Sequence, residues 1–149
     1  MRTEMFMIHE GPSYSSSVTA RFDGEYVVID SNAGVGYDPD KAGAGSTTSM
    51  VLKGGAALWV ECIDGQTDGS DWGGRLKVAC VTNKGMWIDS SNGWVKAVSS
   101  GAEPIWFVDK DDYYEIRQGS KNGRPLVNQG GRLRFVDGAT PGQFNIEDR

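Results

Sequence analysis

Four apolar residues, Met50, Leu52, Leu58 and Val60, recur with identical spacing as Trp106, Val108, Tyr114 and Ile116. Each set reads as the end of one strand, a polar or glycine turn (Lys53-Gly54-Gly55 or Asp109-Lys110-Asp111), and the start of a second strand with period two. Phe6 and Ile8 play the part of Leu58 and Val60 near the N-terminal end, and Phe144 and Ile146 that of Met50 and Leu52 near the C-terminal end. The stretches between agree as well. Ile29 to Val35, Ile88 to Trp94 and Val127 to Leu133 are each a strand end, a polar glycine turn and a new strand. Asn92-Gly93 and Gly130-Gly131 are hairpin-turn dipeptides, because the tightest turns need positive φ. A four-strand unit written three times predicts twelve strands, with unit limits near 4–53, 56–109 and 112–149. One such unit cannot bury its apolar face alone; three around an axis share one core.

The units differ in length. From first to second strand the step runs from Ile8 to Ile29, from Val60 to Ile88, and only from Ile116 to Val127 in the third unit. The first two therefore carry long insertions, each ending in a further alternating run, Val18–Phe22 and Leu76–Cys80. These read as hairpins extending from the barrel. A competing register makes them the true first strands and leaves Phe6–Ile8 as a tail. Glycine, at 21 of 149 residues, supplies the many turns such a fold needs, and the segment Asp38–Thr47 is a small, polar, glycine-rich loop. No helical period of useful length occurs.

Three four-stranded units, each closing on a large apolar residue two before an aliphatic (Met50/Leu52, Trp106/Val108, Phe144/Ile146), resemble the β-trefoil superfamily over nearly the whole chain. The resemblance implies an all-β fold. It also implies a role in the range of its lectins, protease inhibitors and fascin-like protein binders. The Gln-x-Trp triplet of ricin-type lectins is absent, the matching positions reading Ser49-Met50-Val51, Ile105-Trp106-Phe107 and Gln143-Phe144-Asn145. In size, low cysteine and missing leader the chain is similar to small fungal-type lectins and inhibitors.

A net charge of −5 disfavours nucleic acid and anionic membrane surfaces as partners. The single histidine, His9, excludes a multi-histidine metal site and argues against histidine-based catalysis. Cys62 and Cys80 continue alternating apolar series and read as small buried hydrophobes. The apolar patch Met5–Ile8 is too short for a signal sequence, no run is long enough to span a membrane, and no N-glycosylation sequon occurs. These features suggest a soluble protein, cytoplasmic or released without a leader, with no cofactor and no metal.

The most site-like stretch is Asp64–Gly74. Trp72 in this glycine-rich loop can stack on the apolar face of a sugar while Asp71 accepts hydroxyl hydrogen bonds; alternatively Trp72 folds back as a lid. The aspartates there lack the alternating pattern of a calcium loop. Tyr37 and Asp38 form a second candidate at the place where a ricin-type unit would hold its sugar-contacting aromatic; alternatively Tyr37 caps the core. For protease inhibition the candidates are Lys41, as the residue offered to a trypsin-like enzyme, and Asn92 (or Asn83), offered to an asparagine-directed cysteine protease. Trp59 and Trp87 lie out of phase with the buried series around them, so they pack on the cap or mark a binding face. No carboxylate pair or nucleophile motif points to an enzyme. The sequence thus argues for a non-catalytic glycan-binding lectin, monomeric or weakly dimeric. The alternative is a protease inhibitor acting through one loop, and a fascin-like protein- or actin-binding module stands third. A lectin requires an exposed aromatic beside a carboxylate or amide in a shallow pocket.

Overall fold

The computed structural model describes residues 5–11, 20–23, 25–28, 59–79, 83–90 and 92–148. Every regular element among them is a strand: β1 (Phe6–Glu10), β2 (Arg21–Asp23), β3 (Tyr26–Val28), β4 (Trp59–Asp68), β5 (Asp71–Val78), β6 (Trp87–Asp89), β7 (Lys96–Val98), β8 (Ile105–Asp109), β9 (Tyr114–Gln118), β10 (Leu126–Gln129), β11 (Arg132–Phe135) and β12 (Phe144–Asp148). The protein is all-β. No helix among the described residues is long and apolar enough to cross a membrane.

Six strands close a ring of antiparallel pairs, β1–β12–β9–β8–β5–β4 and back to β1. The other six form the hairpins β2–β3, β6–β7 and β10–β11. These hairpins are tied to one another at Tyr26↔Lys96, Val28↔Arg132 and Trp94↔Arg134. Backbone hydrogen bonds from Val27 N to Val95 O (2.9 Å) and from Phe135 N to Gly93 O (2.8 Å) complete the union. Closure of this kind leaves few free edges for another chain to extend.

Alternation fills the ring in two layers. Phe6, Trp72, Phe107 and Tyr114 form an aromatic layer, with Trp72 stacked on Phe107 (centroids 4.1 Å apart, 9° between planes) and Phe6 edge-on to both. Ile8, Leu76, Ile105 and Ile116 meet Val27, Ile88, Val95, Leu126, Leu133 and Phe135 of the hairpin side around an apolar void of about 20 Å³. That is room for roughly one water molecule, in a wall with no polar partner for it. The Gly130-Gly131 turn has φ of 67° and 96° between the paired Gln129 and Arg132, and Gly93 has φ of 93°, as the dipeptides in the sequence lead one to expect.

One expectation is corrected. Leu76–Val78 does not belong to a hairpin extending beyond the barrel: β4 and β5 are both ring strands, β5 pairing with β4 on one side and β8 on the other. Its inward residues Trp72, Leu76 and Val78 are as buried as those of any ring strand, and Gly73 lets Trp106 of β8 approach. The spacing match that started the second unit at Leu58 and Val60 therefore does not mark where the ring turns over; the hairpin between two ring strands is 59–78. Phe6–Ile8 is no tail either, since β1 pairs with β12 along its whole length. The run Val18–Phe22 contributes Arg21 and Phe22 to β2, which pairs with β3.

Candidate functional site

The β4–β5 hairpin is built to open a hollow. Its register runs Ile63↔Arg75 and then Gln66↔Gly73, so Asp64 and Gly65 together oppose the single residue Gly74. This is a β-bulge, a device that bends a strand and re-aims a side chain. Asp64 takes φ of 55°, a left-handed conformation that aspartate tolerates better than most residues. The carboxylate so placed accepts hydrogen bonds from Arg75 through Nε (3.1 Å) and through Nη2. The Arg75 guanidinium lies over Trp87, 4.4 Å from the ring centroid, and Lys77 Nζ stands 5.4 Å from the same ring. Arg75 is thus fixed by a carboxylate in its plane and an indole beneath it.

Glycine makes the rest. The Trp106 indole lies against Gly73 so closely that a β-carbon there would come within 2.5 Å of it. A β-carbon on Gly74 would meet Cys62 Sγ at 2.6 Å and the Ile63 carbonyl at 2.7 Å. Over these two glycines opens a pocket of about 200 Å³ lined by Asp64, Gln66, Arg75, Pro104 and Trp106. It offers one aromatic ring, one amide able to donate and accept, one carboxylate and one guanidinium. Behind the glycines, half-buried Cys62 has its thiol pushed up from the ordinary range, chiefly by burial, with the Asp64 charge acting the same way. Among the described residues no three His, Cys, Asp or Glu side chains group as metal ligands would.

The residues singled out in the sequence fall differently. Trp72, at 6% exposure, has its face on Phe107 and its edges toward Phe6 and Tyr114, so the ring is a core member and not a stacking platform. Asp71 Oδ1 accepts the Asp109 backbone N–H (2.9 Å), pinning the hairpin tip to β8. Asp68 pairs with Lys121 Nζ at 2.5 Å. Tyr37, Asp38 and Lys41 lie outside the described residues. Asn92 is exposed in the β6–β7 turn, where Gly93 N donates to Ser90 O (2.7 Å). Trp59 is buried, while Trp87 is half-buried beneath Arg75.

Residues 64–74 therefore do border the pocket, through Asp64, Gln66 and the two glycines and not through Trp72. Trp106, which sequence reasoning used only as a strand marker, is the pocket's aromatic. A signal for it exists: Ile105 and Phe107 are buried, so strict alternation turns Trp106 outward.

Comparison of the chain with protein-family models, with curated proteins and with solved structures gave no match.

Proposed function

We propose that this protein is a β-trefoil binding module of lectin type, and that it takes a saccharide unit in the pocket beside Trp106. Support for the architecture comes from chain order: ring strand, hairpin, ring strand, repeated as β1 to β4, β5 to β8 and β9 to β12, with the hairpins joined three ways. On this reading the units begin at β1, β5 and β9. Support for the ligand class comes from one observation above all, the Trp106 ring beside the Gln66 amide and the Asp64–Arg75 pair in a shallow hollow. An indole face matches the C–H face of a sugar ring, and fixed amide, carboxylate and guanidinium groups match its hydroxyls.

The reading is tested by screening the protein on a glycan array and measuring the best ligand by calorimetry. Trp106→Ala and Gln66→Ala should each weaken binding about tenfold or more, corresponding to about 1.4 kcal/mol, with the circular dichroism spectrum unchanged. A folded protein that binds no glycan, or one whose binding is indifferent to both substitutions, would overturn it.

Inhibition of a protease through Asn92 draws less support. A protease accepts an extended segment, whereas the Ser90–Gly93 hydrogen bond closes the Asn92 turn tightly.

A further inference from the structure

A second arrangement lies on the joined hairpins. β11 turns Leu133 and Phe135 into the core, at 1% exposure each, and so presents Arg132 and Arg134 together on the opposite face. Arg132 Cζ stands 4.1 Å from the centroid of the Tyr26 ring and 5.5 Å from that of Trp94; Arg134 Cζ stands 4.8 Å from the Trp94 centroid. Two guanidiniums thus share one indole. Arg134 Nη1 donates to Gln129 Oε1 (3.2 Å), while its buried Nε has no hydrogen-bond partner among the described residues. No described carboxylate lies within ion-pair distance of either arginine, although the chain carries five more negative than positive charges. Of the charged side chains described on the adjoining β3 and β7 segments, Glu25 and Lys96 have opposite signs and leave the arginine charge uncompensated.

An arginine stacked on a ring keeps its in-plane N–H groups free to form a fork on an oxyanion. A carboxylate satisfies one such fork. A tetrahedral dianion has enough oxygens for two, and two positive charges balance its own. We propose that Arg132 and Arg134, held by Tyr26 and Trp94, bind the tetrahedral oxyanion of an ester, the dianion of a phosphate ester or the monoanion of a sulfate ester. This inference is independent of the saccharide pocket.

The test is calorimetric titration of the whole protein at low salt with inorganic sulfate, inorganic phosphate, glucose 6-sulfate and glucose 6-phosphate, with glucose as control. Dissociation constants on the order of 1 mM are expected for a single dianion. Arg132→Gln and Arg134→Gln should each weaken binding tenfold or more. Arg132→Lys and Arg134→Lys, which keep the charge but lose the fork, should recover only part of it; Lys84→Gln should leave it unchanged. Near-ultraviolet dichroism checks that each variant is folded. The pH profile distinguishes the two esters. The second ionisation of a phosphate ester, near pH 6, makes its affinity rise from about pH 5 to pH 7.5, whereas sulfate affinity stays flat. Absence of binding by all four oxyanions, or equal binding by the wild type and both glutamine variants, overturns the proposal.

Discussion

Trp106 rests directly on Gly73: the pair is in register between β5 and β8, and the indole occupies the space a β-carbon would need. Gly73→Ala must therefore push the ring off the strand or the strand off its neighbour. Overpacking of this kind costs about 1–3 kcal/mol. The expected outcome is a folded protein of lower denaturation midpoint, a shifted tryptophan emission, and glycan binding reduced as much as in Trp106→Ala. Unchanged emission and midpoint would mean the ring does not lie where the structure puts it.

Trp72 and Trp106 stand on adjacent strands but on opposite sides of the ring wall, and their truncations should separate cleanly. Trp72→Ala removes a ring stacked on Phe107 in the aromatic layer. Such deletions destabilise by about 3–5 kcal/mol. Trp106→Ala, at a half-buried position, should cost well under half of that. Urea unfolding of the two variants makes the comparison, and equal losses would contradict the assignment of Trp72 to the core.

The Asp64–Arg75 pair is a matter of position more than of stability. The side chains are 67% and 37% exposed, and pairs this open contribute about 1 kcal/mol or less. Asp64→Asn should barely change the midpoint of unfolding, because asparagine also accepts the left-handed backbone of the bulge. Ligand affinity should fall severalfold, since Arg75 loses its anchor. A large stability loss with unaltered affinity would reverse this assignment.

Cys62 offers a check on the ground behind the pocket. The thiolate is the reactive form, and burial holds this thiol protonated to higher pH than a free cysteine. In a Cys80→Ser background, alkylation by iodoacetamide at neutral pH should be slower than that of a small free thiol. It should rise to the free rate in urea. Asp64→Asn removes one of the charges that oppose the thiolate and should speed the reaction modestly. Free-thiol rates in the native protein would contradict the packing of Cys62 against Gly74.

Strand content and hairpin chemistry were readable in the residues because they depend on near neighbours. Period-two alternation marked Phe6/Ile8, Leu76/Val78 and Phe144/Ile146 as inward-facing, and Gly130-Gly131 marked its own turn. The ring order was not readable in the same way. Leu58/Val60 and Leu76/Val78 both alternate, and only pairing with β8 identifies β5 as the strand that continues the wall. The pocket was half visible. Its glycines and aspartate stood in the sequence at 64–74, but that stretch forms parts of β4 and β5 and not a loop, and the alternation that buries Leu76 and Val78 turns Trp72 inward as well. The partner strand supplies Trp106 from more than thirty residues away.

The β1–β12 seam carries a consequence for how this protein comes into being. Phe6 pairs with Asp148 and Glu10 with Phe144, so the wall is completed by segments from opposite ends of the described chain. Contacts of such long sequence separation are slow to form, because loop-closure entropy must be met before they contribute. Until β12 arrives, β1 has, among the described residues, a short pairing with β4 and the hydrogen bond from Ala20 N to Ile8 O to hold it. Assembly of the wall therefore waits on translation of its final strand. A circularly permuted chain, opened at the exposed Asp137-Gly138 turn and joined across the old ends, would make the seam a local hairpin and should fold faster at similar stability.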